Sequence, residues 1–326
     1  MRKTFRRKRR YRRKMKGGKA VQKTKNLKIK KNKSKKKSKG KNKTKKITFK
    51  KDVCTPVKGK KEMMKYTCYT KDALKKMKAL WNARHPDVKI KSNSPKKIWE
   101  QLRRNMSSSC DRESCWLNQK WLDQGMTKEL NDNFATPQPE TWKKNKQEWL
   151  NSLDINNVMK QYENKYNNFQ FIGPSPIDFD DHEMFGECVW EELCKFNLQE
   201  KIKKQKEKIG IIFNLDPHDK PGSHWVSMFI NIPKKELYYF DSYGDPTPIR
   251  IKKLAKRIQQ QSTKIGKEFK FYENPVRHQY SNSECGMYCL YFIIKLIENR
   301  NYKSLINRKI KDKEMMRLRN IYFNKL

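Results

Sequence analysis

Not one aspartate or glutamate occurs in the first 50 residues, which hold 27 of the lysines and arginines. A stretch such as KIKKNKSKKKSKGKNKTKK has almost nothing apolar to set against its ordering entropy. Residues 1–51 are therefore expected to be a disordered Lys/Arg-rich tail. Of the net charge of +45, only +18 remains for the other 276 residues, so the rest reads as a moderately basic globular protein. Long apolar runs are missing too. The run YCLYFII is far short of the ~20 residues that span a bilayer, and MRKTFRRKRRYRRKMK lacks the apolar stretch of a secretory signal. A soluble intracellular protein with no membrane partner is the expectation. Nothing points to an oxidising compartment, so the eight cysteines are expected to be free thiols. No base-reading motif accompanies the tail. It reads either as a nuclear-localisation-like tract or as a non-specific nucleic-acid binder acting by counterion release.

A chain of 326 residues fits two domains, or one with extensions. Residues 52–147 read as a helical accessory domain and linker. TKDALKKMKALWNARH sets Leu74, Met77, Leu80 and Trp81 at helical spacing. SPKKIWEQLRRNM does the same with Ile98, Leu102 and Met106, behind a Ser94 cap and Pro95. Cys54, Cys68, Cys110 and Cys115 lie in this region with His85 nearby, but their spacing suits small buried residues better than a zinc site. No metal and no cofactor is expected. NDNFATPQPETWKKNKQ, residues 131–147, reads as a linker.

From residue 148 to 326 the pattern is mixed. A helix through Ile155, Val158, Met159 and Tyr162 is followed by a Pro-rich turn, GPSPIDFDD, and an amphipathic helix over residues 182–205. KIGIIFNL, HWVSMFINI and ELYYFDSY then read as strands, PIRIKKLAKRIQQQ as a basic helix, EFKFYENP as a further strand, and a closing helix starts at Cys285. The fold class is α+β, a central mixed sheet flanked by helices.

His224 opens one of these strands and Asp241 closes the next, so antiparallel pairing across the IPKK reversal brings them together. A carboxylate that accepts from one imidazole nitrogen leaves the other free to act as a base. Of the five histidines, His85, His182 and His278 lack such a partner, and His218 is the only rival. Cys285 stands where the polar run RHQYSNSE meets the apolar GMYCLYFIIKLI. Unpaired amides and the dipole at a helix amino end favour a thiolate there. Gly286 leaves room for a substrate backbone beside the sulfur, whereas Cys289, one turn later, reads as an inert core thiol.

GSHWVSMF, then YYFDSYG, then QYSNSECGMY resemble the adenain and Ulp1-like cysteine proteases (clan CE), which include ubiquitin-like-modifier proteases and viral maturation proteases. EWLNSLDINNVM is similar to the opening helix of that family. GPSPIDFD and NLDPHDKPGSHW are most similar to the versions of nucleocytoplasmic large DNA viruses of the asfarvirus and giant-virus type, and the helical region resembles their arm.

The resemblance covers about residues 148–300. It implies Cys285 as nucleophile, His224 as general acid and base, Asp241 as its orienting carboxylate, and Gln279 as an oxyanion donor together with the Cys285 amide. Trp149 and Trp225 resemble the aromatic walls that admit only a Gly-Gly backbone. The implied activity is a viral cysteine endopeptidase cutting structural polyproteins or core proteins after Gly-Gly during maturation, in the virion and the host cytoplasm, or in the nucleus if the basic tail directs it there. Ubiquitin-like modifiers are the alternative partners, and a nucleic-acid-binding virion protein on a non-catalytic protease scaffold is the third reading. MKGGKA, residues 15–20, matches the implied cleavage pattern, with the cut after Gly18.

Overall fold

The computed structural model describes residues 48–57, 64–182 and 184–325. All but the last four residues of the expected tail, and the Gly17–Gly18 pair, lie outside these ranges.

The first part is helical: α1 (Lys71–Arg84), α2 (Pro95–Asn105) and α3 (Gln124–Asn131). Thr70 caps α1 by accepting from the amide of Ala73 at 3.1 Å. α2 starts at Pro95 as the sequence predicts, although Ser94 makes no side-chain cap bond. Leu74, Met77, Trp81, Ile98 and Leu102 bury around Tyr69 and Trp116. The loop between the helices is tied by Asn82, which accepts from the Ile90 amide at 2.7 Å and donates to its carbonyl at 3.0 Å.

Two expectations fail here. Free thiols were expected, yet Cys54 is bonded to Cys68 and Cys110 to Cys115. Turns bring their Cα atoms to 5.1 and 5.6 Å, inside bridging range, and these pairs are also incompatible with one zinc ion held by all four. Nor is 131–147 a free linker. It holds β1 (Thr136–Pro137), which pairs in parallel with the carboxyl-terminal Phe323–Asn324, and a short turn that buries Trp142 against Phe323, with ring centroids 4.9 Å apart. Local Pro and polar content gives no sign of so distant a partner.

The remaining elements are α4 (Ser152–Lys165), β2 (Phe169–Ser175), α5 (Glu191–Cys194), α6 (Leu198–Lys203), β3 (Lys208–Asn214), β4 (Trp225–Asn231), β5 (Glu236–Phe240), α7 (Ile249–Lys264), β6 (Lys270–Glu273), α8 (Cys285–Ile297), α9 (Tyr302–Ile306), α10 (Asp312–Tyr322) and β7 (Phe323–Asn324). The sheet order is β2-β3-β4-β5-β6, parallel at both outer pairs and antiparallel in the middle. Alternation along the strands builds two cores. Ile209, Ile211, Val226, Met228, Leu237 and Tyr239 face Ile251, Leu254 and Ile258 of α7. Ile212, Phe229, Tyr238 and Phe240 face the apolar helix α8. A side chain at Gly210 would meet the Ile293 methyl at 2.8 Å, so glycine there lets α8 lie close against β3.

Strand β2 is absent from the sequence reading because Gly173 and Pro174 mark a turn. Pro174 is tolerated because β2 is an edge strand, bonded on one side only. The single helix expected over 182–205 is broken. Phe185 and Gly186 sit at φ 80° and 77°, outside helical space, and Asn197 opens a new helix by accepting from Glu200 N at 3.0 Å. Cys188 and Cys194, which lie between these two points, are bonded.

Candidate active site

The β4–β5 hairpin sets the first pair. Ser227 lies opposite Phe240, so His224, just before β4, and Asp241, just after β5, share one end of the sheet. The carbonyl of His224 accepts from Leu215 N at 2.9 Å, extending the β3 ladder and fixing its backbone. Its Nε2 is 2.9 Å from Asp241 Oδ1 and donates to it. The carboxylate is 2 % exposed and also accepts the Tyr243 amide at 2.8 Å. Asn274 Nδ2 holds the Asp241 carbonyl at 2.8 Å. The Tyr243 ring stacks on the imidazole at 4.8 Å and 17°. Burial disfavours charge on His224, but its hydrogen bonds to Asp241 and Cys285 and their negative charge outweigh this and push it up to about 9.

Cys285 is the first residue of α8, free and 2 % exposed. Glu284 at the cap position makes no side-chain cap bond, which leaves the first amides of this buried helix unpaired by a cap. Cys289 is fully buried against Ser227, and burial drives its thiol well up, as an inert core residue requires. Gln279 is fully buried. Its Oε1 accepts from Ser242 Oγ at 2.7 Å, and its Nε2 donates to Ser281 O at 2.7 Å and to the Tyr243 phenol at 3.4 Å. The backbone amides of His278 and Gln279 both donate to Ser242 O at 2.8 Å. The loop before Cys285 is therefore anchored to the end of β5 that carries Asp241.

Trp149 and Trp225 both line a groove of about 580 Å³. Trp149 is half-exposed at 42 %, whereas Trp225 is buried and donates Nε1 to Leu150 O at 2.9 Å. Gly286 also serves packing. A side chain there would press on Leu150 at 3.1 Å and on Trp225 at 3.3 Å, so the missing Cβ admits the two residues that build the groove wall.

The other histidines make different contacts. His218 pairs with Asp178 at 2.7 Å on the groove wall, His85 stacks on Trp81, and His278 is buried and held down to about 4 by burial and the nearby Lys309 charge. Among the described residues, the metal-ligating side chains that come close together are His182, Cys188 and Cys194, and the two thiols are already bonded. The sequence reading missed Tyr243, Ser242 and Asn274. Tyr243 and Ser242 stand beside Asp241 in FDSYG, and that adjacency was the available signal.

Comparison with known proteins agrees with this geometry. The model of the Ulp1 protease family C-terminal catalytic domain matches residues 157–326. A protein of Acanthamoeba polyphaga mimivirus that carries the name thiol protease is 30% identical over 291 residues, 83% of this chain and 93% of its own length. The cysteine protease of African swine fever virus is 28% identical over 246 residues, 70% of this chain and 88% of its own. The crystal structure of the African swine fever virus protease has the same fold, with a TM-score of 0.61 at 23% identity over 87% of this chain and 99% of that one. The chain belongs to the Ulp1 protease family and is a cysteine protease.

Proposed function

We propose that this enzyme is an endopeptidase that cuts viral structural precursors after Gly-Gly, with Cys285 as nucleophile. The observation that carries the reading is His224 bonded to buried Asp241 with its ring held up by Asp241 and Cys285 together, beside a groove lined by Trp149 and Trp225. A ring held up to about 9 carries its proton at neutral pH and pairs with the Cys285 thiolate. The sulfur attacks the scissile carbonyl carbon, and the carbonyl π electrons move onto oxygen. Gln279 Nε2 and the Cys285 amide receive that oxyanion, a contribution worth about 3 kcal/mol per donor. For this the Gln279 amide exchanges its bond to Ser281 O for one to the substrate. As the tetrahedral centre collapses, the C–N bond breaks and His224 protonates the leaving amine. Water, deprotonated by the now neutral ring, then attacks the thioester. The acid product leaves, and the thiolate–imidazolium pair is restored.

Residues 148–326 carry this chemistry in our reading, and 52–147 are the accessory region. Residues 1–51 hold the enzyme on nucleic acid in the particle without sequence preference. Two indoles that line one groove favour residues without side chains, so selection for Gly-Gly works by exclusion. Incubating wild-type and Cys285→Ala protein with candidate precursors, and sequencing new amino termini, tests the assignment. New ends after Gly-Gly with wild type alone support it, and identical patterns reject it. The same digest reads the Gly18–Lys19 bond.

A second reading, release of ubiquitin-like modifiers, draws on the name SUMO-1 cysteine protease carried by African swine fever virus relatives. Both substrate classes present Gly-Gly, so parallel assays on a modifier conjugate and a Gly-Gly-X peptide separate them.

A further inference from the structure

The loop of residues 278–284 carries Gln279 and ends at the Cys285 amide, so its shape sets where both oxyanion donors stand. One side is anchored to Ser242. The other is held by a residue 27 positions beyond the nucleophile, Asp312 at the start of α10. Its Oδ2 accepts from two consecutive amides, Tyr280 N at 3.0 Å and Ser281 N at 2.9 Å. Its Oδ1 accepts the phenol of Tyr288 at 3.0 Å, and Tyr288 lies on α8 one turn after Cys285. These bonds run to the loop and to the nucleophile helix rather than to the amides of α10. Ser281, whose amide is held in this way, is also the residue whose carbonyl receives the Gln279 side chain at 2.7 Å.

Neighbouring contacts reinforce the arrangement. Ile310 N donates to His278 Nδ1 at 3.1 Å, and the Tyr288 phenol also reaches Ile310 O at 2.9 Å. Two turns along α10, Arg319 donates Nε to Glu284 Oε2 at 2.9 Å and a second nitrogen to Ser283 O at 3.3 Å, both side chains being buried. Helix α10 thus grips the loop at 280–281 and again at 283–284. Two amides converging on one charged carboxylate oxygen make short, directional, charge-assisted bonds, which suit a role of holding geometry.

We propose that Asp312 is a positioning residue for the reaction: it sets the loop so that the Gln279 amide and the Cys285 N–H converge on the oxyanion. The proposal rests on the oxyanion roles given above for those two groups. A misplacement of about 1 Å in such a constellation costs on the order of 100-fold, and loss of one donor costs about 100- to 1,000-fold.

The test compares wild type, Asp312→Ala and Asp312→Asn. For Asp312→Ala the expected result is a kcat on a Gly-Gly-X peptide lower by about 100-fold, with KM within a few-fold. A Gly-Gly peptidyl aldehyde, whose hemithioacetal oxygen occupies the oxyanion position, should lose affinity in parallel. Alkylation of Cys285 by iodoacetamide, which needs the thiolate but no oxyanion donor, should keep its wild-type rate and pH profile. Asp312→Asn, whose single amide oxygen still receives the two N–H groups, should recover most of kcat. Hydrogen exchange at the Tyr280 and Ser281 amides should accelerate in Asp312→Ala whatever the substrate. If Asp312→Ala does not fold, Asp312→Ser, too short to span the gap, takes its place.

Unchanged kcat and aldehyde affinity overturn the proposal. So does a kcat loss matched by an equal loss of alkylation rate, which marks general damage to the fold. If wild type leaves the Gly-Gly peptide uncut but alkylates at Cys285, the substrate assignment fails instead. Loop exchange then decides the role of Asp312, and unaltered exchange at 280 and 281 overturns it.

Discussion

Replacing Asp241 with alanine removes the charge and the hydrogen bond that, together with the Cys285 contribution, oppose the burial of His224. With them the ring is pushed up to about 9; without them it returns toward the ordinary value near 6.5. At pH 7.5 the protonated fraction falls from nearly all to about a tenth, a loss of about tenfold in the imidazolium form of the ring. The freed ring also loses its orientation, for which we allow a further factor of about 10, part of the roughly 100- to 10,000-fold that general acid–base catalysis contributes. The expected result is a fall in kcat/KM of about 100-fold at pH 7.5 that shrinks to about tenfold at pH 6, where both forms are mostly protonated. The alkaline limb of the profile should move from near 9 to near 6.5.

Stability follows the same sign. A pKa raised in the folded state stabilises fully below about 6.5 and is lost as pH rises through about 9. Wild type should therefore lose Tm between pH 7 and pH 10, and Asp241→Ala should lose much less. The assay is a pH series of peptide cleavage with parallel thermal melts. An alkaline limb that stays near 9 in Asp241→Ala would refute the coupling of the two residues.

Gln279→Ala should lower kcat by about 100- to 1,000-fold while Cys285 alkylation keeps its rate; equal losses in both assays would assign Gln279 to the fold instead. Gly286→Ala forces a methyl against Leu150 and Trp225 at 3.1 to 3.3 Å, so a melt should show a cost of about 1 to 3 kcal/mol and a raised KM for Gly-Gly-X. Arg319→Met leaves Glu284 buried and unpaired, and denaturant titration should register a loss of about 3 to 5 kcal/mol. Trp149→Ala opens the half-exposed wall of the groove, and Gly-Ala-X peptides should then be cut at a rate closer to that of Gly-Gly-X; unaltered selectivity places the glycine filter elsewhere.

The pairing of His224 with Asp241 was legible because both lie at the ends of neighbouring strands joined by a four-residue reversal, so local pairing rules suffice. Cys285 was legible because the change from polar to apolar residues marks the start of a buried helix. Strand β2 was hidden by Gly173 and Pro174, which signal a turn unless the strand is known to be an edge. The expected 182–205 helix failed at Phe185 and Gly186, whose positive φ values an amphipathic count does not register. The cysteine pairs eluded a reading that argued from compartment, because bridging depends on how close turns bring the Cα atoms. At Gly286 the packing partner was not legible: Leu150, which a side chain there would meet, lies 136 residues earlier in the chain. Asp312 and Arg319 carried no local signal, since their partners are 24 to 36 residues away and are met only once α10 packs beside α8.

Intact-mass and peptide mapping after treatment with a Gly-Gly peptidyl vinyl sulfone examines the nucleophile directly. The expected outcome is one adduct per chain, on Cys285, strongly slowed in His224→Ala and absent in Cys285→Ala. An adduct on another cysteine, or labelling of Cys285 at an equal rate without His224, would contradict the assignment of this pair as the reacting centre.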